Sequence, residues 1–236
     1  EKGFKRVLGF LKPGVKEYEI EAEFAYEFLK NRSKGFAYTP IIGSGYNACV
    51  LHYIENNKVC KDGDMLLMDV GAEYANYSSD MTRTVPVNGR FTARQKAVYQ
   101  AVLNVKNEAT KMLVSGTLWE AYHKEVGKLM TSELVGLGLL DRADIQNQDP
   151  KKPAYKKYFM HGTSHHMGLD THDFGVLKDP MVANMVFTVE PGIYIPEEKM
   201  GIRLEDDVVI QSSGAPLNLM KNTPIEVEAI ETYMNS

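Results

Sequence analysis

A chain of 236 residues with 44% hydrophobic content is long enough to bury one large core or two modest ones. Its 27 basic residues against 31 acidic ones leave a net charge of −4, which offers no electrostatic footprint for nucleic acid or an anionic membrane. No apolar run approaches the ~18 to 20 residues that cross a bilayer, and no charged-then-apolar leader precedes the first helix, so the chain reads as a soluble protein. Cys49 and Cys60 are too few for a disulfide framework and stand in no Cys-x-x-Cys pattern; both read as buried thiols in a reducing, cytoplasmic compartment.

Helical spacing is already present from Phe4 to Leu11, and the chain opens at Glu1 without a methionine, so the natural protein is expected to continue upstream. Lys12-Pro13-Gly14 breaks the pattern; Ile20, Phe24 and Phe28 then recur at helical spacing until Gly35. Strand-like runs rich in β-branched and aromatic residues follow from Met65 to Tyr74 and from Asp80 to Val87. A capping box, Thr92 with Gln95, predicts a helix through Val98, Val102 and Val105 to Leu113, stopped by Ser115-Gly116. Thr117 with Glu120 predicts the same device for a helix through Tyr122, Val126, Leu129 and Leu134. The polar stretch from Asp141 to Lys157, with Pro150 and Pro153, reads as a surface loop. Two more strand runs, Met185 to Tyr194 and Gly201 to Ile210, complete an α+β pattern.

The strand runs repeat a theme. Met65-Leu66-Leu67-Met68-Asp69-Val70-Gly71 resembles Val186-Phe187-Thr188-Val189-Glu190-Pro191-Gly192: an apolar strand, an acid, any residue, glycine. Each leads across turn-forming residues to a second acid, Asp80 or Glu205. Two hairpins, each carrying two carboxylates, would converge on one site.

Asp69 ends a run apolar enough to be a core strand, where an unpaired carboxylate costs several kcal/mol. With a turn centred near residues 74 and 75, antiparallel pairing would set Asp80 opposite Asp69 on one face. Adjacent carboxylates repel unless a metal or proton lies between them. The plainer alternatives are an ion pair of one acid with Arg83, and an Arg203–Glu205 pair on one strand face. Four such acids in one domain are better explained by a shared polycation.

Four of the six histidines fall between His161 and Asp173, among glycines, which reads as a site for metal and proton work. No Glu follows His161 in the helical zinc-protease manner, so that motif is absent. His123 and His166 take structural readings. Carboxylate-rich ligation with one imidazole suits Mn²⁺, with Co²⁺ and Zn²⁺ possible, and four carboxylates are enough for two ions ~3.5 to 4 Å apart sharing an activated water.

In their order along the chain, Ile42-Gly43-Ser44-Gly45, Leu51-His52-Tyr53, Met68-Asp69-Val70-Gly71, Ser79-Asp80-Met81-Thr82-Arg83-Thr84, His161 through Asp173, Thr188-Val189-Glu190-Pro191-Gly192 and Gly201-Ile202-Arg203-Leu204-Glu205-Asp206-Asp207 resemble aminopeptidase P, the Xaa-Pro aminopeptidases of the pita-bread metallopeptidase group. The resemblance covers nearly the whole chain. It implies a pita-bread fold of two pseudo-symmetric halves, helices and β-hairpins, around a curved, mostly antiparallel sheet. It also implies a dimanganese centre held by Asp69, Asp80, His165, Glu190 and Glu205, with Asp80 and Glu205 bridging. Glu190 would carry protons, His52, His161 and His172 would contact substrate and the tetrahedral intermediate, and Arg203 would orient the carboxylates.

The reaction so implied is release of the N-terminal residue from peptides with proline second, by attack of a metal-bridging hydroxide. Residues 1–236 would form the catalytic domain. Family members usually carry an N-terminal domain that helps form the outer wall of the site and the oligomer, so the full-length protein is expected to be a homo-oligomer. Prolidase is the neighbouring alternative, and a non-catalytic peptide-binding module the alternative of another class; the complete ligand set argues against the latter.

Overall fold

Face alternation along one strand decides where core and site lie. The computed structural model describes residues 1–236. In β3 (Met65–Asp69) the first four residues are all buried. Leu66 and Met68, with Val70 beyond them, enter the main core of 44 residues. Leu67, on the opposite face with Asp69, packs instead in a cluster of five with Ile41, Ala48, Tyr53 and Tyr194. The strand is therefore apolar on both faces, as a doubly covered strand must be, until Asp69 ends it.

Two helices, α1 (Lys2–Phe10) and α2 (Glu17–Lys30), pack together and lead to β1 (Gly35–Phe36) and β2 (Ile41–Ser44). After a 3-10 turn over Gly45–Cys49, β3 pairs antiparallel with β2 on one side and with β5 (Thr82–Pro86) on the other; the short β4 (Ala72–Glu73) pairs with β1. The helices α3 (Ala93–Met112) and α4 (Trp119–Gly136) pack on each other. After α5 (Arg142–Gln146), the second hairpin runs through β6 (Val186–Val189), β7 (Gly192–Ile195), β8 (Met200–Arg203) and β9 (Asp206–Val209), edged by β10 (Leu217–Asn218). A final helix, α6 (Val227–Met234), which the sequence reading does not anticipate, returns to α1. No helix is long and apolar enough to cross a membrane.

The internal repeat is present in the backbone. In both hairpins the ladder is interrupted at the acid-x-Gly step: β3 stops at Asp69 before β4, and β6 stops at Val189 before β7. In the second hairpin Val189 pairs with Asp206 and Gly192 with Arg203, one register across the interruption, so Glu190 stands opposite Glu205. In the first, Asp69 pairs with Thr82 and the Val70 amide donates to the Met81 carbonyl. The expected Asp69–Asp80 pairing is thus corrected by two residues. The turn is held by mutual backbone bonds of Tyr74 and Tyr77, with Ala75 and Asn76 at positive φ between them, and this shifts the register. Asp80 becomes a diagonal neighbour of Asp69, still on its face. Gly71 is required where Asp80 crosses, because a β-carbon there would lie 1.6 Å from the Ser79 carbonyl oxygen.

Other expectations need correction. Thr92 and Gln95 form their capping box, but Thr117 does not cap α4; its hydroxyl donates to the Met112 carbonyl at the end of α3. That bond satisfies a helix-end acceptor and leaves Leu118 as an apolar N-cap. The stretch from Asp141 to Lys157 is not all loop, since Asp141 caps α5 through a box with Asp144 and Ala154–Lys157 forms a 3-10 turn.

Arg83 is fully buried and ignores Asp69 and Asp80. Its Nη2 donates to Asp206 Oδ1 at 2.6 Å, and Lys106 and Asn218 donate to Asp206 Oδ2. Burial alone would raise the Asp206 carboxyl, but the two cations outweigh it and hold it well below the usual range. Its stabilising effect is therefore present above the unfolded carboxylate's pKa and fades as pH falls through the lowered folded value. Asp206→Asn leaves Arg83 and Lys106 buried without an anion, and denaturant titration of the metal-free protein is expected to show a loss of about 3–5 kcal/mol.

Candidate metal centre

Both hairpins open on one cavity of about 740 Å³, and Asp69, Asp80, His165, Glu190 and Glu205 all line it. His52, His161, His172 and Arg203 line it too. Every residue singled out as a site candidate is therefore brought to one place.

Asp80, His165 and Glu205 offer ligand atoms within 4.8 Å of one another, a spacing able to hold a metal ion. His165 is delivered by residues 163–167, which run beside β6: the Thr188 amide donates to the His165 carbonyl, and the Glu190 amide to the Thr163 carbonyl. Its Nδ1 lies 2.9 Å from the His166 carbonyl oxygen, which only a protonated Nδ1 can satisfy. Nε2 is thereby directed at Asp80 Oδ2, 3.6 Å away, and Glu190 Oε1, 3.7 Å away. An imidazole tethered to a carbonyl through one nitrogen and facing carboxylates with the other has the arrangement of a metal ligand.

Asp69 is held from the side. Arg203 Nη2 donates to its Oδ2 at 2.6 Å, so Arg203 pairs with Asp69 and not with Glu205, its neighbour on the same strand face. Glu205 accepts instead from Thr82 Oγ1 at 2.6 Å, and Arg203 Nε donates to the same hydroxyl. The guanidinium also donates to the Tyr194 hydroxyl, 2.8 Å away, which lies 2.8 Å from His161 Nε2.

Without a bound cation the cluster retains protons. Burial, then the charge of Asp69, raises the Asp80 carboxyl. Burial lifts Glu190 to about 7, and burial reinforced by Asp80 and Glu190 drives Glu205 well above the carboxylate range. Burial would depress His165, yet the facing carboxyl groups of Asp80 and Glu190 lift it to about 9. His161, by contrast, is pushed down to about 3 by burial and Arg203, and stays neutral. His172, its ring centroid 4.1 Å from that of His165, is lowered by burial and by His165.

Some residues of the site escape sequence reading. The Tyr38 hydroxyl lies 2.5 Å from both Asp69 Oδ1 and Asp80 Oδ1, close enough for its single proton to serve either, and comes from an irregular segment with no pattern to reveal it. Tyr194 shares a strand face with Glu190 and Gly192, a period-two signal that could have found it. Asp207, whose Oδ2 accepts from the Asp80 amide, lies buried with Oδ1 unpartnered. The structural readings of His123 and His166 are supported by their packing on Trp119.

Paired acid-bearing hairpins closing on one cavity, with a ligand-ready imidazole between them, define a domain of the pita-bread metallopeptidase class. The model of metallopeptidase family M24 matches residues 1–212. Over 97% of its length the chain is 40% identical to the Xaa-Pro aminopeptidase of Escherichia coli, and over 99% it is 37% identical to that of Haemophilus influenzae, covering 54% and 56% of those proteins. Zinc-substituted Escherichia coli aminopeptidase P in complex with product superposes with a TM-score of 0.92 at 38% identity, with 99% of this chain and 55% of that one covered. Aminopeptidase PepP of Pseudomonas aeruginosa gives 0.91 at 38%, with the same coverage. The chain belongs to metallopeptidase family M24, and it spans about half the length of the curated relatives it matches.

The raised groups set a pH dependence. A carboxyl or imidazole whose folded pKa is raised stabilises the fold below its unfolded pKa and loses that effect as pH rises through the folded value. For Glu190 and His165 those folded values are about 7 and about 9. The metal-free protein is thus expected to lose melting temperature between about pH 6 and 9, and loading with Mn²⁺ at neutral pH to release protons because the ligands must be deprotonated. Titration calorimetry in buffers of different ionisation enthalpy measures that release; its absence contradicts the protonated cluster.

Proposed function

We propose that this chain is the catalytic domain of a dinuclear metal-dependent aminopeptidase that removes the N-terminal residue from peptides with proline in second position. The supporting observation is the composition of the cavity wall: four carboxylates, Asp69, Asp80, Glu190 and Glu205, beside one imidazole ready to ligate and one guanidinium already engaged. Asp69, Asp80, His165, Glu190 and Glu205 would hold two divalent ions, with Asp80 and Glu205 between them. Mn²⁺ is the preferred ion, with Co²⁺ or Zn²⁺ as substitutes. Bound there, such ions supply Lewis acidity toward the scissile carbonyl and lower the pKa of an attacking water. The names of the similar proteins, Xaa-Pro aminopeptidases, agree with this reading.

The side chains divide the remaining work. Glu190 Oε2 lies 3.7 Å from His161 Nδ1 and its Oε1 equally far from His165, a position from which it takes the proton of the attacking water and returns it to the leaving nitrogen. Neutral His161 and His172 face the cavity together with His52 and would line the leaving side. Arg203 keeps Asp69 aimed through the bond from its Nη2 to Asp69 Oδ2. Proline's nitrogen has no hydrogen to donate and fixes its own φ, so the site must accept a rigid ring and protonate a tertiary amide nitrogen as it leaves.

Xaa-Pro-Xaa tripeptides are expected to be hydrolysed faster than Xaa-Pro dipeptides. Arg203 is the one guanidinium or ammonium on the cavity wall, and Asp69 and Tyr194 already occupy it, so no guanidinium or ammonium on that wall is left for a free proline carboxylate. An assay at equal concentrations with Mn²⁺ tests this. Preference for the dipeptide makes the protein a prolidase, and release of N-terminal methionine in place of both overturns the Xaa-Pro reading.

A further inference from the structure

His52 reaches the cavity from a stretch with little regular structure. Between the 3-10 turn ending at Cys49 and β3, no helix or strand forms. Irregular backbone needs other partners to hold one conformation; Asn56 supplies some of them, and several converge on one further side chain. Glu17, in the first turn of α2, is fully buried. Its Oε1 accepts from the Ser44 amide and hydroxyl, both at 2.8 Å, and more weakly from Asn47 Nδ2 at 3.4 Å. Its Oε2 accepts from the Tyr53 hydroxyl at 2.7 Å and the Lys58 amide at 2.9 Å. All five donors are neutral, and no cation pairs with Glu17.

The donors bracket the residues that matter. Ser44 and Asn47 precede, and Tyr53 and Lys58 follow, the Leu51–His52 step, and Leu51, His52 and Ile54 all line the cavity. Tyr53 also packs against Leu67 of β3, on the face that carries Asp69. A carboxylate accepts on both oxygens without conflict, whereas an amide would turn two N–H groups toward donors on one side. We propose that Glu17 is a positioning residue of the active site: its buried carboxylate gathers both ends of the 44–58 segment and thereby fixes His52 at the cavity wall. Glu17 is not itself on that wall, so its effect passes through His52. The inference rests on the peptidase reading above only for its kinetic readout.

The test compares Glu17→Gln, Tyr53→Phe, His52→Ala and the Glu17→Gln/His52→Ala double variant, each loaded with Mn²⁺. Metal content is expected to stay at the wild-type level in all four. Turnover of a Xaa-Pro-Xaa peptide is expected to fall about 10- to 100-fold in Glu17→Gln, the size of effect that a small misplacement of a catalytic group produces. In the His52→Ala background the same change should cost less than about threefold, because the group it positions is gone. Full additivity, or wild-type turnover in a folded Glu17→Gln protein, overturns the proposal.

Tyr53→Phe removes one donor next to His52 and serves if Glu17→Gln does not fold; it too must lose turnover, and a Tyr53→Phe/His52→Ala double variant must show that loss to be non-additive. A second readout does not depend on turnover: the His52 ring signal in the NMR spectrum of the zinc-loaded protein should shift or broaden in Glu17→Gln and Tyr53→Phe. An unchanged signal in both overturns the positioning role even if Xaa-Pro peptides prove not to be substrates. Failure of wild-type turnover alone bears on the peptidase reading and not on Glu17.

Discussion

Asp69, Asp80, Glu190 and Glu205 bring four carboxyl groups to the wall of one cavity, where a single guanidinium, that of Arg203, faces them. Their mutual repulsion is the constraint on which the rest of the structure depends. Protons relieve it in the metal-free protein, on Glu190, Glu205 and His165, and divalent cations are the stronger remedy. A fold that maintains such a cluster must hold the acids with bonds that leave their cavity-facing oxygens available.

The hairpins do this by interrupting themselves. Each breaks its ladder at an acid-x-Gly step: Asp69 is the last paired residue of β3, and Glu190 lies just past the end of β6, where their side chains are needed. Gly71 lets the opposite strand pass at a distance no β-carbon would allow. The halves are stitched where Thr82 and Thr84 meet Glu205 and Arg203 through backbone and hydroxyl bonds. Behind that seam, Asp206 between Arg83 and Lys106 forms a separate charge cluster, satisfied within the protein and facing away from the chemistry. Adjacent residues Glu205 and Asp206 thus serve opposite faces of one strand path, one toward the cavity and one toward the core.

Much of this was legible beforehand, for identifiable reasons. Apolar runs ending in an acid identify Asp69 and Glu190 because burial of a lone carboxylate is costly; the acid-x-Gly echo identifies their pseudo-symmetry. The register of the first hairpin was not legible, since it depends on the Tyr74–Tyr77 turn and on positive φ at Ala75 and Asn76, neither of them glycine. The partner of Arg83 was equally hidden: Asp80 is close in sequence, but strand alternation turns the guanidinium to the other face, where Asp206 waits. Tyr38 and Glu17 act through irregular segments, whose contacts no periodicity encodes. Thr117 shows the same limit at a helix end, where a neighbouring carbonyl competes for the hydroxyl that local sequence assigns to a cap.

If the carboxylates are arranged around two shared ions, removing a bridging acid must affect both. Metal analysis of the reloaded wild-type, Asp80→Ala and Glu205→Ala proteins measures this directly. About two manganese ions per wild-type chain and a loss of more than one ion in either variant are expected, because a bridging carboxylate serves both ions at once. Metal content unchanged in both variants would contradict the shared centre.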